Sequence, residues 1–502
     1  MSGAAGGVGE KVFRKGVWLS VSSFLNNLFG FVYWFVVSAV AGRGVLGYAS
    51  TAVGLSSMIS GLSNLGVGVG VQKFVGDSFK RRDRVRAVSG FWSSFLFLSF
   101  FYSLVSGFVW VLYCLFPDVL GLPGELVAAA VVLTVIASSM VSSSFLNAVL
   151  KTEVITVSSF VGNVVKLGVG LGLLFLGWGW VGVALGYAAC SLVIGVVNSV
   201  YVARRFGFGG LSLGHVLEVV RAGVVSWVPA TLVMVGRWLG LVVVFGSSGA
   251  VEAGGYYVAM MISGFVVSLS MSSTGLLLPV LSSMVDGRKR ACSGVLKLSL
   301  ALAAPLVFSL VFYPGVPLGL LGEEYLAASD ALSVLSLASL FNVCIGGVTA
   351  LAYSYDSYLA VLGIGVATSI PRVAAYLLLV PLLRGYGAAL SFLLGGVSGL
   401  LASAVYAWRV GFRVSVRDVL AVVFLPALLG GLAWLLGVHW VLGVSLVVGV
   451  SYFLYMRTGV LTYGDVATLY RAFVPSQLRS YASPIARLVV RVVYGGAAPD
   501  EV

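Results

Sequence analysis

The sequence predicts an all-α integral membrane protein that crosses the bilayer many times. Sixty per cent of its 502 residues are hydrophobic and 9% are charged, whereas a soluble domain carries about 25% charged residues. The mean hydropathy is +1.07, and the apolar runs reach the roughly 20 residues that a helix needs to cross the hydrocarbon layer. Because these runs lack the alternation of barrel strands, helices are the predicted spanning elements.

Fourteen spans are predicted along the chain. They are 16–41, 47–71, 88–115, 125–149, 153–177, 179–203, 221–246, 254–283, 291–314, 327–352, 358–383, 386–409, 418–437 and 440–456. The first apolar run is far longer than the roughly 7–15 residues of a signal-peptide core, so it is predicted to remain as a helix. The tail after residue 457 is predicted to contain amphipathic helices on the inner membrane surface, with a merely solvated tail as the alternative.

The basic residues indicate the orientation of the spans. Most of them lie in alternate connections: Lys11, Arg14 and Lys15 before span 1, Lys80, Arg81, Arg82, Arg84 and Arg86 after span 2, Arg204 and Arg205 after span 6, Arg288, Lys289 and Arg290 after span 8, and Arg409, Arg413 and Arg417 after span 12. The other connections contain only the basic residues Arg43 and Arg384, together with the acidic residues Asp118, Glu125, Glu252, Glu323, Glu324 and Asp330. The positive-inside rule then places both termini in the cytoplasm, in a multi-pass protein of the cell (plasma) membrane. The net charge of +13 is explained by this orientation, so nucleic acid is not a predicted partner.

An internal repeat divides the chain after six spans. The paired motifs are Arg14-Lys15-Gly16 with Arg221-Ala222-Gly223 at spans 1 and 7, Gly47-Tyr48 with Gly255-Tyr256 at spans 2 and 8, and Gly179-Trp180 with Gly385-Tyr386 at spans 6 and 12. Six spans per unit give both halves the same orientation, so the predicted pseudo-two-fold axis runs along the membrane normal. The predicted divisions are a lobe at 1–210, a lobe at 211–415, helices 13–14 at 416–457 and the tail at 458–502.

These motifs, together with Leu321–Ala328 and Leu461–Asp465, resemble the multidrug/oligosaccharidyl-lipid/polysaccharide (MOP) exporter superfamily, and within it the Wzx-like polysaccharide flippases. The resemblance implies two six-helix halves that work by alternating access, without a cofactor or an enzymatic reaction. It also implies a flippase that moves a polyisoprenyl-(pyro)phosphate-linked sugar or oligosaccharide from the cytoplasmic to the outer leaflet. One position departs from the family pattern. Where members often have an Asp-Arg pair in helix 7, Gly236-Arg237 keeps only the cation.

Three cations lie inside predicted spans: Lys166, Arg237 and Arg372. Lys166 and Arg372 each precede the Gly-aromatic pair that opens the next span by thirteen residues, or roughly 20 Å of helix. A charge at the bilayer centre costs at least about 2.5–3.5 kcal/mol, so these side chains are expected to face a cavity or to bind a partner. A buried salt bridge is the alternative for Lys166 and Arg372, and snorkelling to the headgroups is the alternative for Arg237.

A cleft with cations and without carboxylates suits an anionic ligand, since no Asp or Glu lies in the middle third of any predicted span. Lys166, Arg372 and Arg237 are therefore the predicted substrate-binding residues, and the predicted partner is an anionic lipid-linked oligosaccharide. Asn26, Asn27 and Asn163 are candidate glycan contacts, although helix–helix contacts are the commoner role of such residues. Membrane lipids are the other predicted partners, with H⁺ or Na⁺ as candidate coupling ions.

Two other functions are the alternatives to this one. A MATE-like drug or cation antiporter would have the same fold but needs an intramembrane carboxylate, which is absent from the middle third of every predicted span. An enzyme such as a membrane glycosyltransferase needs an acidic or histidine cluster in a sizeable outer loop, and the outer connections here are short. The four cysteines lie singly in apolar runs, so neither a metal site nor a disulfide is predicted.

Overall fold

The computed structural model describes residues 3–117, 121–275, 281, 284, 286–413, 416–461 and 464, with the backbone alone for 3–24, 269–275 and 416–418. Within these residues the chain forms helices and turns, and no strand. The predicted amphipathic tail lies outside the described residues from 465 onward, and so do the side chains of Lys11, Arg14, Lys15 and Arg417.

The helices follow one another with short connections. They are α1 (Gly3–Ser63), α2 (Val67–Lys80), α3 (Arg84–Leu115), α4 (Gly124–Ile136), α5 (Met140–Ala148), α6 (Thr152–Leu173), α7 (Gly179–Phe206), α8 (Leu213–Gly275), α9 (Arg288–Phe312), α10 (Gly315–Gly319), α11 (Ser329–Ser354), α12 (Tyr358–Arg409), α13 (Val416–Leu435), α14 (Trp440–Ser445) and α15 (Ser451–Arg457). Short 3₁₀ or π segments connect α4 to α5, α6 to α7, and α14 to α15, and another precedes α11.

Nine helices among the described residues are long and apolar enough to cross a membrane, so the chain is a multi-pass α-helical membrane protein. Four of the nine contain 39 to 56 residues, up to about 84 Å of straight helix against a hydrocarbon layer of roughly 30 Å. Each of these four has a residue with non-helical backbone angles: Gly42, Gly177, Gly249 or Arg384. Each of these residues lies at or within a few residues of a predicted boundary between two spans.

Two of these kinked helices fold back as antiparallel hairpins. In the first, Gly162 of α6 lies against Cys190 and Ile194 of α7, and Gly186 lies against Gly170. In α12 the Ser398 hydroxyl donates a hydrogen bond to the Ala367 carbonyl at 2.7 Å. Glycine at such contacts lets two helix backbones approach closely, which is how helices pack tightly in a membrane.

The predicted span 47–71 is wrong at its end, because the helix breaks after Ser63 and restarts as α2 at Val67. Leu65 and Gly66 have φ values of 50° and 75°, which no right-handed helix contains. The Asn64 side chain stabilises the break by accepting a hydrogen bond from the Gly66 N–H at 2.7 Å. Gly66 also lies so close to the backbone of Gly223 that neither position has room for a Cβ atom.

The first compact unit comprises Met1–Ile262, Leu318–Ala331 and Tyr358–Gly399. One of its apolar cores is formed by α2, α3, α5 and the ends of α7 and α8, around the buried rings of Phe91, Tyr102 and Phe145. The predicted division into lobes at 1–210 and 211–415, and the axis relating them, stay predictions.

The second compact unit comprises Ser263–Pro317, Leu332–Ser357 and Leu400–Val502. Its core lies between α9, α11, α13 and α15, with Phe308 and Tyr455 among the buried side chains. The Tyr452 hydroxyl donates to the Leu302 carbonyl at 2.9 Å, and the Tyr455 hydroxyl donates to the Val422 carbonyl at 2.5 Å. The predicted helices 13 and 14 therefore pack on α9.

Candidate functional site

Lys166 is a buried cation of the first unit, with 4% of its surface exposed. Asn163 lies three residues earlier on α6 and hence on the same helix face. The Lys166 ammonium donates a hydrogen bond to the Asn163 side-chain oxygen at 2.7 Å. It also lies 5.3 Å from the ring centroids of Tyr33 and Tyr187. Two aromatic faces and one amide oxygen therefore surround this charge, an arrangement that stabilises a desolvated cation.

The candidate glycan contacts form a chain of hydrogen bonds that leads to Lys166. The Asn163 amide donates to the Asn26 side-chain oxygen at 2.6 Å and to the Ser159 carbonyl at 2.8 Å. Asn163 is buried, whereas Asn26 is exposed. The structure thus connects two of the three predicted asparagines to the buried cation. The third, Asn27, is exposed on α1 and lies outside this chain.

Tyr33 joins α1 to the α6–α7 hairpin beside Lys166. Its side chain is fully buried, and its hydroxyl donates to the Val183 carbonyl at 2.7 Å. Gly170 and Gly186 leave room for the phenol, since a Cβ atom at either position would overlap it. The ring that covers the ammonium is therefore fixed at both ends, by its backbone and by its hydroxyl.

Arg372 is the buried cation of α12, with 3% of its surface exposed. Its guanidinium carbon lies 4.0 Å from the ring centroid of Phe392. Glycines make room for the side chain: a Cβ atom at Gly395 would lie 2.6 Å from Arg372 Nε, and one at Gly236 would lie 3.5 Å from Cδ. The Nε and Nη2 atoms are buried and have no hydrogen-bond partner among the described residues.

Two buried tyrosines neighbour Arg372. The Tyr376 hydroxyl donates to the Gly236 carbonyl at 3.0 Å. Tyr256 interacts electrostatically with both Arg372 and Tyr376. Its hydroxyl lies beside that of Tyr376, but it meets hydrogen-bonding geometry with no group in the described part of the chain. Unpaired donors of this kind are uncommon in buried positions.

Arg237 is exposed on α8, and its charge acts on Tyr187 and Tyr257. Tyr187 is also one of the two rings that cover Lys166. The four ion pairs found within the described residues involve none of Lys166, Arg237 and Arg372. The same residues contain no group of three or more His, Cys, Asp or Glu side chains that would hold a metal ion.

A second set of charges joins the turns at Gly42, Gly249 and Arg384. Arg43 donates to the Glu324 carbonyl at 2.9 Å and lies 3.7 Å from the Glu252 carboxylate. The other Glu252 oxygen accepts a hydrogen bond from the Gly385 N–H at 3.2 Å. The sequence identifies these residues only as charges in the connections between spans, and residue type and spacing do not predict that they bind one another.

The comparisons with known proteins give the family. Residues 51–330, more than half of the chain, match the model of a family described as polysaccharide biosynthesis protein. The chain belongs to this polysaccharide biosynthesis protein family. In the comparison with curated proteins, no protein matched the sequence.

Solved structures show that this polysaccharide biosynthesis protein has the MOP-superfamily fold. The lipid II flippase MurJ in an inward closed conformation is 15% identical, with a TM-score of 0.66 over 88% of this chain and 99% of MurJ. An inward-facing multidrug resistance MATE family transporter of the MOP superfamily is 16% identical, with a TM-score of 0.59 over 79% of this chain and 98% of the transporter. Family and fold confirm the resemblance, and the two solved structures that share this fold are a flippase and a transporter rather than enzymes.

The sequence predicts the cations but not the aromatic side chains around them, although the predicted repeat contains a signal. Tyr33 fills the space beside Gly170, and Tyr376 fills the space beside Gly240. Tyr33 precedes Gly240 by 207 residues and Gly170 precedes Tyr376 by 206, the spacing of the repeat. The predicted repeat therefore pairs each of these tyrosines with a glycine of the other half.

Proposed function

We propose that this protein is a flippase that moves a polyisoprenyl-(pyro)phosphate-linked sugar or oligosaccharide from the cytoplasmic to the outer leaflet of the cell membrane. The observation that supports this function best is the pair of buried cations, Lys166 and Arg372, without carboxylate partners among the described residues. The phosphate of such a lipid is the part that the bilayer excludes most strongly. Cations at this depth compensate its charge during transfer.

The proposed architecture is that of fourteen spans in two related halves, with both termini in the cytoplasm. Counting each kinked helix as two spans and adding the shorter apolar helix Val419–Leu435 gives fourteen. The pairing of Lys166 with Tyr187 and of Arg372 with Phe392 supports equivalent halves. In each case the cation comes from the helix before the turn and the ring from the helix after it.

The proposed binding site combines these cations with polar side chains. Lys166 and Arg372, supported by the exposed Arg237, supply the positive charge for the phosphate. Asn26, Asn27 and Asn163 supply hydrogen bonds for the glycan. Asn26 is suited to this role because it is exposed while its oxygen is held by the buried Asn163.

Transfer of a lipid-linked substrate in proteoliposomes tests the proposed function. The substrate is a polyisoprenyl diphosphate carrying a fluorescent sugar, and an impermeant reagent that quenches the outer leaflet measures its movement. A variant lacking both cations (Lys166→Ala with Arg372→Ala) is expected to lose tenfold or more of the transfer rate, because a charge-assisted contact contributes about 1.5–3 kcal/mol. Arg409→Ala, at an exposed arginine on the same helix as Arg372, is the matched control. Normal transfer in the double variant would reject the proposal.

A MATE-like antiporter of drugs or cations is the second candidate, favoured by the fold shared with the multidrug transporter. The two candidates differ in the charge of the substrate, because uncompensated cations at mid-depth repel a cationic drug. Export of a cationic dye from cells that express the chain separates them. Efflux that continues in the double variant, without transfer of the lipid-linked sugar, would favour the antiporter.

A further inference from the structure

The two buried cations differ in how far their hydrogen-bonding capacity is used. The Lys166 ammonium donates to Asn163 and is covered by two ring faces. The Arg372 guanidinium has one ring face and no hydrogen-bond partner for Nε or Nη2 among the described residues. Lys166 is therefore satisfied by the protein itself, whereas Arg372 still lacks partners for buried donors.

The two unpartnered nitrogens of Arg372 lie on one edge of the planar guanidinium. The N–H of Nε and the nearer N–H of Nη2 point outward in parallel, at the spacing of two oxygens of a phosphate or a carboxylate. The opposite nitrogen, Nη1, lies toward Gly236, and Phe392 covers one face. The free edge is thus the two-pronged edge by which arginine binds an oxyanion.

A third donor belongs to the same cluster. Tyr256 is 1% exposed, and it interacts electrostatically with Arg372. Its hydroxyl lies beside that of Tyr376 but meets hydrogen-bonding geometry with no group in the described part of the chain. A phenol donates one hydrogen bond to an oxyanion at little cost, since its proton rotates about the C–O bond. The neighbouring Tyr376 hydroxyl already donates to Gly236, so Tyr256 is the tyrosine available to a ligand.

We propose that Arg372 and Tyr256 form an oxyanion site that holds one phosphoryl group of the substrate by direct contact, with Lys166 acting through its charge alone. This inference rests on the proposed function for the source of the phosphoryl group, a lipid-linked sugar. The inference gives the two cations different roles, although they occupy matching positions in the predicted repeat. The bidentate edge also favours tetrahedral phosphate over a spherical anion such as chloride.

Binding of small phosphates to the purified full-length protein in phosphatidylcholine nanodiscs tests the site. Isothermal titration calorimetry with farnesyl diphosphate, and separately with inorganic pyrophosphate, gives the dissociation constants. Arg372→Lys and Arg372→Gln are expected to weaken binding ten- to a hundredfold, because an ammonium does not reproduce the guanidinium edge. Tyr256→Phe is expected to weaken it severalfold. Lys166→Gln is expected to weaken binding about two- to fivefold, because the positive charge of Lys166 no longer attracts the phosphate.

A glycine pair on α12 provides a matched control for folding. Gly395→Ala places a methyl group 2.6 Å from Arg372 Nε, whereas Gly363→Ala meets no atom within 4 Å. The first is expected to weaken binding at least tenfold and the second to leave it unchanged. Size-exclusion profiles check that each variant is folded.

The outcomes separate this site from the proposed function. Binding that depends on Arg372, in a protein that transfers no lipid-linked sugar, would uphold the site and refute the flippase. If the unmodified protein binds neither farnesyl diphosphate nor pyrophosphate, the site is overturned. So would an equal loss of binding in Lys166→Gln and Arg372→Gln. Binding of farnesyl diphosphate without binding of pyrophosphate would indicate that the isoprenyl chain contributes to affinity, with the site upheld if Arg372 is still required.

Discussion

Replacing Asn163 with leucine removes the side-chain oxygen that accepts the hydrogen bond of the Lys166 ammonium. The bond is 2.7 Å long, buried and charge-assisted, and such bonds contribute about 1.5–3 kcal/mol. Asn163→Leu also removes the bonds to Asn26 and Ser159, each worth about 0.5–1.5 kcal/mol. The expected loss in the free energy of unfolding is therefore about 2.5–6 kcal/mol.

A double-mutant cycle isolates the contact between Asn163 and Lys166. Lys166→Met removes the ammonium and keeps a side chain of similar length, so the Asn163 oxygen loses a partner but no buried charge remains. The double variant is expected to be more stable than the sum of the single effects predicts, by about 1.5–3 kcal/mol. Asn342→Leu is the control, since Asn342 donates to Ala338 on its own helix and its coupling to Lys166→Met should be within about 0.5 kcal/mol of zero.

The assay for this cycle is reversible unfolding in mixed micelles, in which increasing mole fractions of a denaturing detergent unfold the purified protein. Near-ultraviolet circular dichroism follows the tertiary packing of the aromatic rings around Lys166. A coupling energy below about 0.5 kcal/mol between Asn163 and Lys166 would show that the buried bond is not formed, and the description of Lys166 as a satisfied cation would be wrong.

Three further predictions follow from the backbone geometry and the orientation. Arg384→Gly is expected to raise the free energy of unfolding by about 1 kcal/mol, because Arg384 has φ 52° and ψ −133°, a conformation that glycine adopts without strain. A lower free energy of unfolding in mixed micelles would contradict this. Gly223→Leu is expected to destabilise the protein by about 1–3 kcal/mol or more, because the new side chain would overlap the Gly66 backbone. Gly210 has no atom near its Cβ position, so the Gly210→Leu control is expected to have the stability of the unmodified protein. In a cysteine-free background, single cysteines at the exposed positions Arg82 and Ser247 are expected to react with an impermeant maleimide from opposite sides of the membrane, and same-side reaction would refute the orientation.

Much of the fold followed from composition, because lipid restricts the chain to helices of about 20 residues. The turns at Gly42, Gly249 and Arg384 fall at or within a few residues of predicted span boundaries, where small or charged residues interrupt the apolar runs. The break at Leu65 and Gly66 was missed because hydropathy does not detect it. It depends on the close approach of Gly66 to Gly223, a contact between residues distant in sequence.

The candidate site could be predicted only as far as its charges. An isolated cation in an apolar run is visible in the sequence, so Lys166 and Arg372 were found. Their different surroundings were not, because Tyr33 reaches Lys166 from 133 residues away. The free edge of Arg372 depends on which atoms contact the guanidinium. Partner counts of this kind arise from tertiary packing, which residue type and spacing do not specify.

The turns at Gly42, Gly177, Gly249 and Arg384 have a consequence for biogenesis. A hairpin entering the bilayer must translocate the segment between its helices, and backbone groups without hydrogen-bond partners make that step costly. Here the helices continue almost to the turn, so few backbone groups need solvent during the passage. Hairpins of this kind are expected to insert as pairs of helices, because the two apolar helices that flank the turn carry it across the bilayer.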